Sequence, residues 1–193
     1  MIVERKRAQR APKRAPIRIG ARSAAAAVGR LTIGPCSVAC ALGAAGCRAR
    51  KREGDAATPM GRWRVREVFY RADRLARPRT GLPVRPLRPW DGWCDAVGDR
   101  NYNRWVPHPY RASAEKLWRS DSLYDLIVTL NHNACPRIQG HGSAIFLHVA
   151  GAGYPPTAGC IAVTRHHLLR LLAHLSRTST LVVGGRGLKR RPE

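Results

Sequence analysis

Apolar and polar positions alternate along much of this chain in short runs, the two-residue period of half-buried β-strands. Over 62–71, Trp63 and Val65 alternate with Arg64 and Arg66. This predicts a strand entered through the turn Thr58-Pro59-Met60-Gly61, where Pro holds its φ and Gly tolerates a positive one. Leu31-Thr32-Ile33 and the run 37–42 flank Gly34-Pro35, which reads as strand, turn, strand. Further strands are predicted at 123–130, 143–149, 161–163 and 179–183. Helical spacing is clear at one place, where Leu168, Leu169, Leu171, Leu172 and Leu175 form a stripe and Thr164 is placed to cap it. A second short helix is expected at 112–119. Residues 74–103 are rich in Pro and Gly and lack a period, a length typical of lids and binding loops. The sum predicts a mainly β fold with one late α-helix.

Hydrophobic residues make up 44% of the 193, enough for one packed domain. No apolar run approaches the roughly 20 residues that cross a bilayer. Net charge is +23, from 35 Lys and Arg against 12 Asp and Glu. Residues 1–52 carry 13 of those basic groups and one acidic residue, Glu4. Together with the weak periodicity this predicts a basic leader over 1–30, a folded domain over 31–186 and a basic tail over 187–193. The apolar run 23–28 is shorter than the roughly 7–15 residues of a signal-peptide core. The charge suits a polyanion. However, no aromatic residue falls within 1–52 to stack on bases, and no helix-turn-helix or zinc-finger spacing occurs, so no specific nucleic-acid partner is expected. The six cysteines show no C-x2-C pair.

Candidate chemistry concentrates in 140–163, GHGSAIFLHVAGAGYPPTAGCIAV. His148 ends one predicted strand and Cys160 opens the next, across a loop with two Gly and two Pro. Such a loop can return the thiol to the imidazole. The two would then form a thiolate–imidazolium pair, nucleophilic near neutral pH. Gly159 frees the backbone there, so that the N–H groups of Gly159 and Cys160 can converge on a developing oxyanion. A Cys after Gly at a strand start is also a small buried hydrophobe, and a strand histidine is often a core residue. His132, on the preceding loop, is a further candidate for lining the cleft. His166, His167 and His174 read as helix-surface residues. His132, Cys135, His141 and His148 lack the tight second pair of a zinc site, so no metal is expected.

This segment resembles the active-site motif of the L,D-transpeptidase (YkuD-type) family: a strand-end His (His148), a loop, then Thr157, Gly159 and Cys160. Thr58-Pro59-Met60-Gly61 is similar to the family's Thr-Pro-x-Gly hairpin. Gly92 to Asp95, Asn131 to Asn133 and Gly142 to His148 resemble a compact bacterial branch, and the likeness runs from about 31 to 183. The resemblance implies a mixed β-sandwich with one late helix, no cofactor, a monomer and a periplasmic or wall-side location. It implies peptidoglycan stem peptides as substrate, and the basic charge adds an anionic wall polymer as a candidate second contact. Cys160 would attack a stem-peptide carbonyl at a diaminopimelate residue, giving a thioester, and His148 would move the protons. Val149 would orient His148 through its carbonyl, Gly159 would shape the oxyanion hole, and Thr157 and His132 would contact substrate. Ala158 stands where the family commonly has His, and Ala162 where it commonly has Arg or Asn. The acceptor therefore stays open: an amine gives cross-linking, and water gives a carboxypeptidase or amidase. A non-catalytic polyanion-binding protein is the remaining alternative.

Overall fold

The short alternating runs pair as strands in a computed structural model of the chain, which describes residues 16–184. The strands in chain order are β1 (Ile17–Ala21), β2 (Val28–Ile33), β3 (Cys36–Ala41), β4 (Cys47–Arg48), β5 (Thr58–Pro59), β6 (Gly61–Tyr70) and β7 (Val84–Pro86). They continue with β8 (Asp91–Cys94), β9 (Arg104–Pro107), β10 (Ala114–Lys116), β11 (Leu126–Leu130), β12 (Phe146–Val149), β13 (Ile161–Val163) and, after the helix α1 (Arg165–Leu172), β14 (Thr180–Val183). The mainly β expectation with one late helix holds among the described residues.

The large sheet runs β11-β12-β13-β3-β2-β1-β14-β6-β7. Strand β6 closes it, pairing with β14 over Gly61–Arg64 and with β11 over Val65–Tyr70. The sheet is mixed: β1–β14, β12–β13 and β6–β7 are parallel, and the other pairs are antiparallel. Alternate residues of its strands enter one core, which includes Ile17, Ile19, Val65, Val128, Leu147 and Ile161. Helix α1 adds Leu168, Leu171 and Leu172 to that core, and Leu175 joins just beyond the helix end. As expected, Thr164 is the N-cap, its hydroxyl accepting from the His167 N–H.

A second cluster lies on the other face of β6, β11 and β12, where Phe69, Ile127 and Phe146 meet Leu117 and Tyr124. A small sheet, β10-β8-β9, supplies Trp93 to this cluster, and the Trp93 ring meets Phe146 edge-on at 5.2 Å. The central strands are thus covered on both faces, which explains their continuous apolar runs. The layering matches the sandwich expectation, with the main sheet closed by β6.

Two expectations are corrected. Residues 16–30 are not leader: Ile17 and Ile19 of β1 are core residues, and β2 begins at Val28. Strand β1 is tied in from both sides, by β2 and by β14. The apolar run 23–28 is the turn between β1 and β2 and the start of β2. Segment 112–119 is not a helix: Ala114, Glu115 and Lys116 pair with Cys94, Trp93 and Gly92, a non-local ladder that overrides local helix propensity. The leader reading of 1–15 and the tail reading of 187–193 fall outside the described residues.

Candidate active site

Parallel pairing of β12 and β13 sets Leu147 opposite Ile161 and His148 opposite Ala162. Leu147, Val149, Ile161 and Val163 point into the main core. By alternation, Phe146, His148, Cys160 and Ala162 face the other way, toward the small sheet. His148 therefore stands one strand across and two residues along from Cys160. Both line one cavity of about 490 Å³ and both are buried, at 5% and 7% exposed. Cys160 Sγ accepts the Phe146 N–H at 3.3 Å and donates to the Ala144 carbonyl at 3.1 Å. His148 Nδ1 lies 2.9 Å from the Val149 carbonyl. A carbonyl only accepts, so Nδ1 carries the proton and Nε2 keeps a lone pair.

The turn before Cys160 is held from within. Thr157 Oγ1 donates to the Cys160 carbonyl at 2.7 Å and accepts the Gly159 N–H at 3.1 Å. Gly159 has φ +137, and a Cβ there would meet the Ala57 carbonyl at 2.8 Å, so only glycine fits. The expected oxyanion role of Gly159 changes accordingly. Its N–H is engaged by Thr157, and its contribution is the conformation that delivers Cys160. Thr157 lines the cavity, but its hydroxyl serves the turn.

Burial decides the protonation states. Desolvation pushes the Cys160 thiol up to about 12, with the charge of Glu115 adding to it, against the Phe146 N–H. Desolvation pulls His148 down to about 4, against the carbonyls of Val149 and Leu123. Both shifts favour a neutral thiol and a neutral imidazole at rest, the opposite direction to the expected thiolate–imidazolium pair. His132 is likewise pulled down to about 4 by burial. A histidine lowered on folding binds fewer protons in the native state than in the unfolded chain. Its stabilisation is therefore complete above pH ~6.5 and lost as pH falls toward 4, by about 3 kcal/mol for each histidine. Glu115, held above the usual carboxylate range by burial, works in the opposite direction and reduces the slope. Urea midpoints are expected to fall steadily from pH 7 to pH 4.5; a flat profile would contradict these buried neutral histidines.

His132 is not brought to the Cys160 cavity. It lines a second one of about 590 Å³ with Trp63 and His141, its ring edge-on to Trp63 at 4.7 Å and Nε2 at 3.1 Å from the His141 carbonyl. Cys135 also lines that second cavity, whereas His148 lines the first. Among the described residues no three His, Cys, Asp or Glu are placed to hold a metal. His166 and His174 are exposed on and just after α1, as expected.

Tyr124 and Glu115 escaped the sequence reading. The Tyr124 ring stands edge-on to His148 at 5.1 Å, and its hydroxyl donates to Glu115. A lone tyrosine in the turn just ahead of the apolar run of β11 carries no spacing signal. The resemblance motif at Gly92 to Asp95 did mark the strand that carries Asp95 into the same cavity.

Fold and cleft define a β-rich protein with a histidine on β12 and a cysteine immediately ahead of the parallel strand β13, both lining one cavity. A family model for the L,D-transpeptidase catalytic domain (YkuD) matches residues 7–183, and the chain belongs to that family. Members are enzymes that act on peptidoglycan and are typically associated with the cell wall. The match also spans β1, in line with that strand's place in the sheet. No curated protein and no solved structure matches the chain.

Proposed function

We propose that this chain is a cysteine acyltransferase acting on peptidoglycan stem peptides on the wall side of the cell. The observation that carries the reading is the placement of His148 and Cys160 on one face of the β12–β13 pair, with His148 Nδ1 committed to the Val149 carbonyl. As Cys160 Sγ attacks the stem-peptide carbonyl, its proton passes to His148 Nε2. The C–N bond then breaks, the departing amine takes that proton, and a thioester remains on Cys160. An acceptor amine or water attacks the thioester carbonyl. His148 receives the acceptor's proton and returns it to the sulfur as the C–S bond breaks. Ala158 and Ala162 both line the cavity, so they leave space beside the sulfur for an acceptor. Among the described residues no helix is long and apolar enough to cross a membrane.

Incubation with purified tetrapeptide muropeptides tests the reading. Cross-linked dimers are expected, and trimmed monomeric stems would assign water as the acceptor. Neither product, with no acyl-enzyme mass, would overturn it.

A further inference from the structure

The second cluster covers the outer face of the main sheet at β11, β12 and the far half of β6, and it takes no residue from β1, β2, β3 or β14. Those four strands keep the alternation of a sheet with one solvated face. Ile17, Ile19, Leu31, Leu181 and Val183 enter the core, and their neighbours point outward. The pairing register sets Ser37, Thr32, Arg18, Val182 and Arg62 in one row across five strands. The next row holds Ala39, Arg30 and Gly20. On the other side of the first row, Arg64 stands opposite Thr180. Arg18, Arg30, Arg62 and Arg64 are all exposed. Residues 16–52 contain no Asp or Glu, and β14 has none either. Among the described residues these four arginines and Arg22 form no ion pair, whereas Arg71, Arg74, Arg85, Arg111 and Arg119 do. The uncompensated charge is thus gathered on the bare half of the sheet.

Two of these side chains are fixed by neutral groups. Arg30 donates from Nε to Ser37 Oγ and from Nη2 to the Ser37 carbonyl, both at 2.9 Å. Arg62 donates from Nη1 to Thr180 Oγ1 at 3.4 Å. Such partners hold a guanidinium in place without neutralising it, and its remaining N–H groups stay open to an anion. Thr32 Oγ1 and Ser37 Oγ lie 3.1 Å apart. Whichever hydroxyl donates, the other keeps its hydrogen for a ligand. Between the arginines the surface sinks, because Gly20 brings no side chain and Ala39 only a methyl. A Cβ at Gly20 would meet no atom within 4 Å. The depression is a groove of about 860 Å³, lined by Arg18, Arg22, Arg30, Thr32 and Ser37. Neighbouring strands lie about 4.8 Å apart, so Arg18 and Arg62, two strands apart, present their charges at intervals of roughly 10 Å.

We infer that this groove, with Arg62 beside it, docks a phosphodiester-linked polyol chain. The inference goes beyond the acyl-transfer reading and does not depend on it. Arginine forks recognise phosphate in two-pronged fashion. The tetrahedral oxygens of a phosphate can take the Arg30 fork and the free hydroxyl beside it at once, where a planar carboxylate is filled by the fork. Residues 16–52 contain no aromatic side chain on which a base could stack. Val28, at 49% exposed, is the one large apolar side chain exposed on these rows, so the face has no wedge for a bilayer. A concave groove also fits a chain better than a flat lipid surface. Docking there would hold the protein on its polymer through the sheet face away from the small sheet and leave the Cys160 cavity open.

The test measures binding of the full chain to a synthetic glycerol-phosphate oligomer by fluorescence anisotropy. Three phosphate contacts make the affinity roughly twenty-fold weaker at 200 mM salt than at 50 mM. The variant R18Q/R30Q/R62Q is expected to bind about ten-fold more weakly or worse at 50 mM salt, with the salt slope reduced by about 2. Removing three charges from a terminal segment, as R5Q/K6Q/R7Q or K189Q/R190Q/R191Q, should weaken binding less than about three-fold. Arg18→Gln alone, with an expected loss of about three-fold, serves should the triple variant fail to fold. The Cys160→Ala protein should bind as the unsubstituted one does, so the docking face and the acyl-transfer reading stand or fall separately. Terminal-segment variants that lose as much as the face variant would overturn the proposal. So would tighter binding of a uronate polymer, or of anionic-lipid vesicles, than of the glycerol-phosphate oligomer.

Discussion

Cys160→Ala is expected to gain no mass when incubated with a carbapenem, whereas the unsubstituted protein gains one drug equivalent and the Cys94→Ala protein does the same. The argument is chemical. Opening a β-lactam by Cys160 breaks the ring C–N bond and leaves an acyl group on the sulfur, so the adduct reports the nucleophile directly. General thiol reagents would not discriminate, because Cys36 and Cys135 are exposed and would react as well. Cys94 is fully buried in the small sheet, so its loss tests whether a cysteine outside the cleft matters. Muropeptide turnover by Cys160→Ala should fall to background. An adduct that persists on Cys160→Ala would sink the assignment.

His148→Ala is expected to lower the acylation rate by about 10²–10⁴-fold, the usual contribution of a positioned general base. The burial of both groups sharpens this. With the thiol near 12 and the imidazole near 4, the thiol keeps its proton until attack. His148 must be neutral to take it. In the wild type the acylation rate should therefore rise as pH climbs through about 4 and stay level across neutrality. A resting thiolate–imidazolium pair would instead lose activity on the alkaline side as the imidazolium gave up its proton. In His148→Ala the only route is the small thiolate fraction, so its rate should climb about ten-fold per pH unit toward the thiol value. Stopped-flow acylation across pH 4–9 checks both profiles. An alkaline fall in the wild type below pH 8, or a flat His148→Ala profile, would contradict the neutral pair.

Much of the β framework was legible in the chain because strand signals are local. The alternation of Trp63 and Val65 with arginines and the Gly34-Pro35 turn report a two-residue period at each point. The leucine stripe behind Thr164 reports α1 in the same way. Cys160, His148 and Val149 were singled out through the ordered motif, and the fold sets Cys160 and His148 on one cavity. Other features had no local signature. Strand β1 is short, lies in an Arg-rich context, and becomes a strand only because β2 and β14 flank it. Glu115 sits among helix formers and is a strand residue because Trp93 lies opposite. His132 shares its neighbourhood in sequence with the His148 strand, yet its ring is taken by Trp63.

The sequence by itself determined that this is a mainly β chain with one capped late helix and a cysteine and histidine twelve residues apart across a Gly/Pro loop. It did so because period, turn chemistry and motif order are properties of neighbouring residues. Tertiary structure alone decided that the two side chains share a face, that both are neutral, and that Glu53, Asp95 and Glu115 converge on their cavity. Those outcomes depend on which strands pair and on what the small sheet covers. Desolvation and cleft charge are set by residues distant in the chain, and no local pattern encodes them.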